Sequence, residues 1–162
     1  MARSILLAAA LLAASARAAS ADLIVARGGW AAIDRGASCE AVARSVRIAA
    51  KGKVQTLAAF TFTPDHRRWG EFHVTLRRML RPGASVMLTV GDRPFLLVAR
   101  GNDGWSSGPA QEQAIIAALR DAPTMRVEAR DSAGGRFVDS FLVSGAATAI
   151  DAAAARCAGK KG

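Results

Sequence analysis

Apolar and polar residues alternate at every second position through much of this chain, in short runs punctuated by glycine, proline and aspartate. The cleanest run is "EFHVTLRRM". Phe72, Val74 and Leu76 fall on one face, and Glu71, His73, Thr75 and Arg77 on the other. That is the period of a strand with one buried and one wet face. The same reading predicts strands at "WAAID" (30–34), "EAVARSVRI" (40–48), "LAAFTFT" (57–63), "SVMLTV" (85–90), "PFLLVAR" (94–100), "TMRVEAR" (124–130) and "RFVDSFLV" (136–143). Turns such as Lys51-Gly52-Lys53, Pro82-Gly83, Gly91-Asp92 and "DSAGG" separate them.

The period changes in two places. "GPAQEQAIIAALRDA" carries Ile115, Ile116 and Leu119 at helical spacing, with Pro109 in the first turn and Pro123 at the end. In the last stretch, "TAIDAAAARCAGKKG", Ile150, Ala153 or Ala154, and Cys157 share one helical face. Thr148 and Asp151 read as its cap, and Gly159 with the lysines as its stop. Strands, a helix, a hairpin and a helix, without regular βαβ alternation, predict a mainly β domain. The expected fold is an antiparallel β-sandwich or curled sheet, with two helices packed at its ends or edges.

The ends of the chain divide it further. Arg3, the apolar run from Ile5 to Ala14, and a small-residue cleavage site after Ala18 or Ala21 have the parts of a secretory signal. The apolar run is too short to span a bilayer, which needs about 20 residues. Residues 1–21 are therefore expected to be a signal peptide, 22–158 a single β-rich domain, and 159–162 a disordered basic tail. The expected location is the periplasm or the exterior. No cysteine follows the cleavage region, so a lipid-anchored form is not expected.

Export puts the two cysteines in an oxidising compartment. Cys157 faces inward with Ile150, and Cys39 shares a strand face with Ala41 and Ala43. A Cys39–Cys157 disulfide stapling the last helix to the first strands is expected. A redox or nucleophilic thiol would need a CxxC or a neighbouring histidine, and neither is present.

The formal charge is +9, and Arg3 and Arg17 lie in the signal, leaving +7 beyond residue 21. Such a domain invites anionic partners. Arg outnumbers Lys 18 to 4 in an Ala-rich chain, a bias that coding habit alone can produce. The candidate surface is "DHRRWGEFHVTLRRMLRPG", read as one hairpin. Arg67, Arg68, Arg77, Arg78 and Arg81 cluster there with Trp69 beside them, and guanidinium groups pair bidentately with phosphate or sulfate. Arg93 and Arg100 are candidate additions. The plainer reading is an edge hairpin kept from aggregating by its charge. Anionic envelope lipid, lipopolysaccharide or an envelope protein are the expected partners, and export argues against nucleic acid.

Gly104-Trp105-Ser106-Ser107-Gly108 matches the G-x-S-x-G of a nucleophile elbow between strand and helix. Both histidines, His66 and His73, precede the serine, which is the wrong order for an α/β-hydrolase. The order His, Asp, Ser is available through His66 or His73, Asp92 or Asp103, and Ser106. The alternative to binding is thus a small periplasmic serine hydrolase using Ser106, or an inhibitor of hydrolases. Asp65, His66, Glu71 and His73 are near enough in sequence for a weak surface metal site, read more simply as solvated groups. No phosphate loop or dinucleotide fingerprint occurs, and no metal or cofactor is expected.

Several stretches together resemble the invasion-associated locus B family. They are Trp30 leading into Cys39 and Ala41, the "LRPG" turn, the "AIIAAL" helix, and "SAGGRFVDSFLVSGAATAID" before a closing alanine helix. The similarity spans roughly Trp30 to Cys157. The resemblance implies an exported bacterial protein with a compact β-sandwich-like domain, linked by name to host-cell entry. Family members carry further cysteines near where Gly104-Trp105 stands here. The family has no established catalytic residues, so the resemblance implies a non-enzymatic role at the cell envelope.

Overall fold

A computed structural model describes residues 21–160; the expected signal peptide, at 1–21, lies almost entirely outside them. The chain runs β1 (Asp22–Arg27), β2 (Trp30–Asp34), β3 (Cys39–Arg44), β4 (Leu57–Phe62), β5 (Trp69–Thr75), β6 (Val86–Val90), β7 (Arg93–Arg100) and β8 (Asp103–Trp105). Helix α1 (Pro109–Asp121), the hairpin β9 (Met125–Arg130) and β10 (Arg136–Phe141), and α2 (Ala146–Ala158) complete it. All ten strands form one antiparallel sheet in the order β1-β2-β3-β4-β5-β8-β7-β6-β9-β10. The expected mainly β architecture with two helices is what forms, as a curled sheet that does not close.

Alternation decides which side of each strand is buried. Trp30, Ala32, Cys39, Ala41, Ala43, Ala58, Phe60, Phe72 and Val74 point to the inner face, and their neighbours point outward. Trp30, Phe60 and Phe72 form a tilted aromatic row, with centroids 5.9 and 5.1 Å apart. Helix α2 lies across β1 to β4, and α1 against β5, β6 and β7. Where α2 meets the sheet both surfaces are made of small residues: Ala146, Ala149 and Ala153 on the helix, Ala32, Ala41 and Ala43 beneath it. The alanine-rich composition thus has a packing use, since small facing side chains let the helix backbone approach the sheet closely.

That close approach brings Cys157 to Cys39, which are joined by a disulfide with a Cα–Cα distance of 5.7 Å. Asp34 pairs in register with Cys39 at the same corner. Its carboxylate accepts hydrogen bonds from Lys160 Nζ, from Arg156 Nε at 2.7 Å and from the Gly36 amide at 2.8 Å. Lys160 also donates to the Gly36 carbonyl at 2.8 Å. The end of α2 is therefore held to the β2–β3 turn by one covalent bond and a small ionic cluster. Lys160 was expected in a disordered tail. The buried Asp34 carboxylate orders it instead, while residues 161 and 162 fall outside the described range.

The β10 edge of the sheet folds back toward the opposite ends of β2 and β3, where α2 begins. The Val46 amide donates to the Ser140 carbonyl at 2.8 Å, the Gly29 amide to Ser144 at 3.0 Å, and Trp30 Nε1 to the Leu142 carbonyl at 2.7 Å. Glycine is required where these segments meet. A Cβ on Gly145, at φ 91°, would lie 1.8 Å from the Arg27 carbonyl oxygen, and one on Gly28 would lie 2.1 Å from that of Ser144. Helix α2 starts directly from Gly145 and has no side-chain cap. The expected cap residue Asp151 instead pairs with Arg120 of α1.

Two outcomes are expected from the fastened corner. Cys39→Ala with Cys157→Ala opens a loop of 118 residues and should lower unfolding free energy by about 4–5 kcal/mol, read as a shift in urea midpoint. The cations around Asp34, Lys160 foremost and then Arg156, hold its carboxyl well below the usual range. Its stabilisation is complete above the unfolded carboxyl value, near pH 4, and fades as pH falls further. Urea midpoints measured on acidification should fall in the wild type, and Asp34→Asn, less stable at neutral pH, should flatten that decline.

Candidate functional site

The arginine-rich stretch is not one hairpin and not an edge. Strand β5 lies inside the sheet between β4 and β8, and separates the arginines into two groups. Arg67 and Arg68 sit in the turn before it, and Arg77, Arg78 and Arg81 in the loop after it. At about 3.3 Å per residue the strand holds the two groups more than about 20 Å apart.

Most of these guanidinium groups already have partners. Arg77 Nε donates to both carboxylate oxygens of Asp139, at 2.9 and 3.1 Å, and lies 5.1 Å over the Phe137 ring. Asp139 is fully buried and also accepts from Thr56 Oγ1 at 2.9 Å. Arg78 pairs with Asp131. Arg68 lies 3.7 Å from Glu71, and Arg67 3.4 Å from Asp65. Trp69 is half-buried, stacked by His66 at 3.9 Å and edge-on to Phe62. Arg81 is exposed and has no carboxylate partner among the described residues. Arg77 is thus a structural cation, closing the β10 side of the sheet onto the loop after β5.

Ser106 follows the short strand β8. Gly104 faces inward among Leu97, Val74 and Val86, and Trp105 faces outward, stacked on His73 at 5.1 Å. Ser106 turns inward again. Its hydroxyl accepts from the Phe72 amide at 3.1 Å and donates to Glu112 of α1 at 3.1 Å. Burial raises the Glu112 carboxyl above its usual value. His73 donates to or accepts from Asp103 at 3.0 Å on the outer face, where Thr75 also bonds Asp103 at 2.8 Å. The sheet therefore brings His73 and Asp103 together but turns Ser106 to the opposite side. His66 stacks on Trp69 at another end of the structure, and among the described residues no three His, Cys, Asp or Glu side chains converge.

A different basic region follows β3. Beyond Arg44 the predicted strand stops, and residues 45–56 form a loop. Gln55 fixes its shape: its carbonyl accepts from the Ala49 amide at 2.8 Å, and its amide donates to Ser45 Oγ at 2.7 Å and the Arg47 carbonyl at 3.0 Å. This bracing holds Val46 and Ile48 out in water, 57% and 73% exposed, with Val54 and Leu57 also exposed. Arg44, Arg47, Lys51 and Lys53 stand among them, all exposed. Within the described residues none has a carboxylate within ion-pair distance, in contrast to the paired arginines above. The signal was present in "VRIAAKGKV", where apolar and basic residues interleave without an acid.

The two basic regions should respond differently to mutation. Arg77→Ala leaves Asp139 buried without its cation and should cost about 3–5 kcal/mol. Arg67→Ala and Lys53→Ala, at exposed positions, should stay within about 0.5 kcal/mol of wild type. Chemical denaturation of the three variants measures the contrast.

Comparison of the chain with known protein families, curated proteins and solved structures finds no match to any of them.

Proposed function

We propose that this chain is an exported, non-enzymatic binding domain that works at the anionic surface of the cell envelope. The observation that carries the reading is the braced 45–56 loop and the strand ends beside it, where Arg44, Arg47, Lys51 and Lys53 flank exposed Val46, Ile48 and Leu57. Unpaired cations attract an anionic surface over a Debye length, about 8–10 Å at moderate salt. Apolar side chains held beside them gain once that surface is reached. Four cations near a negative surface contribute about 1 kcal/mol each, enough for reversible association without a membrane anchor. No helix among the described residues is long and apolar enough to cross a membrane.

The disulfide is compatible with an oxidising compartment, which agrees with the expected signal at the start of the chain. The resemblance to the invasion-associated locus B family read from the sequence implies the same, an envelope protein without a catalytic centre. The binding surface proposed here lies on the loop after β3, whose cations have no carboxylate partner among the described residues, in preference to the turn before β5, where Arg67 and Arg68 each lie near a carboxylate and Trp69 is stacked by His66.

Co-sedimentation of residues 22–162 with phosphatidylglycerol-containing and neutral vesicles, with and without lipopolysaccharide, at low and high salt, tests the reading. Association with anionic vesicles that fades with salt is expected, and none with neutral ones. Absence of association at low salt would remove the reading and turn the search to protein partners.

A further inference from the structure

The 45–56 loop stands between two concavities of different chemistry. On the side toward β2, a groove of about 640 Å³ is lined by Trp30, Val42, Val46, Ile48, Leu57 and Leu142; of the side chains lining it only Arg44 and Ser45 are polar. On the side toward the loop after β5, a cleft of about 330 Å³ is lined by Arg47, Lys53, Arg77 and Arg78 with Ile48 and Val54. Ile48 belongs to both and forms the wall they share. In the cleft, Arg77 and Arg78 are held by Asp139 and Asp131, whereas Arg47 and Lys53 have no carboxylate partner among the described residues.

A cation cleft and an apolar groove, one side chain apart, match the two ends of an anionic amphiphile. A free phosphate would satisfy the cleft and leave Leu142, Val46 and Ile48 in water. An uncharged apolar ligand would fill the groove and leave Arg47 and Lys53 unanswered. We propose that this is a single-lipid site, deepening and resting on the anionic-surface reading above. The phosphate of an anionic phospholipid in the membrane surface lies between Arg47 and Lys53, and one of its acyl chains lies along the groove over Trp30. Guanidinium and ammonium groups supply the charge-assisted hydrogen bonds to phosphate. The Gln55 brace keeps the wall between head and tail in place before the lipid arrives, so binding does not have to order the loop.

Trp30 is 2% exposed and borders the groove, which makes it a built-in reporter. The test uses a Trp69→Phe, Trp105→Phe chain, leaving Trp30 as the sole tryptophan, with vesicles of phosphatidylglycerol and phosphatidylcholine. Either lipid carries bromine on its acyl chains in turn. Brominated phosphatidylglycerol should remove most of the Trp30 emission, and brominated phosphatidylcholine in the same mixture far less. In a chain with all three tryptophans, Arg47→Gln and Lys53→Gln should each weaken sedimentation with these vesicles about fivefold. Ile48→Asp should weaken it more than either, with far-ultraviolet circular dichroism unchanged. Normal sedimentation with undiminished Trp30 emission, or Ile48→Asp binding like wild type, would overturn the lipid site while leaving the anionic-surface reading standing. No sedimentation with phosphatidylglycerol vesicles, whether or not the chain is retained on polyglutamate, would overturn both.

Discussion

An open sheet of ten strands has one face to cover and no barrel closure to do it with, so everything else depends on how firmly α2 is kept on that face. Apart from Ile150 and the bridged Cys157, its buried face is alanine, which gives close approach but little apolar area per residue. The deficit is met at the corner where Cys157 joins Cys39 and where Arg156 and Lys160 converge on Asp34. At the far end of the helix, Gly145 and Gly28 let two backbones touch where any side chain would force them apart. The helix is thus fixed at both ends, and the aromatic row of Trp30, Phe60 and Phe72 can fill the interior without also having to hold the lid.

Two groups of cations in the chain stand in contrasting settings. One group of cations is structural: Arg77 with Asp139, Arg78 with Asp131, Arg120 with Asp151, Arg136 with Glu128, and Arg156 and Lys160 with Asp34. All but Arg136–Glu128, eight residues apart in one hairpin, tie segments distant in sequence. The second group, Arg44 at the end of β3 and Arg47, Lys51 and Lys53 in the loop after it, is exposed beside apolar side chains. Total charge draws no line between the groups. The placement of the acids does, and acids are absent from residues 41–64.

The fold was legible where its determinants are local. Alternation placed Phe72, Val74 and Leu76, or Met125, Val127 and Ala129, on the buried face because each strand carries its own period. The disulfide was legible because only two cysteines exist and each sits on an apolar face. Strand β8 was missed because its only inward residue is Gly104, whose space is filled by Leu97, Val74 and Val86 from other strands. Strand β1 was missed because, at the sheet edge, only Ile24 and Val25 are partly covered and the alternation disappears. The site was less legible still. Arg77 meets Asp139 62 residues away and Arg78 meets Asp131 53 residues away, and nothing near either arginine announces the partner. What looked like a cluster along the chain is two ends of one strand.

The Cys39–Cys157 bond also bears on the order of events when the protein is made. A chain emerging from its N-terminal side presents Cys39 with the early meander, while its partner arrives 118 residues later. In that interval β1 to β5 can pair, but their inner face has no helix over it and the thiol has no correct mate. No wrong intramolecular mate exists either, because the chain has only two cysteines. Oxidation within one molecule therefore needs no reshuffling, and the covalent step records that the last helix has arrived. The hazard is between molecules: two half-emerged copies, each with a free Cys39, can couple to one another before α2 is in place.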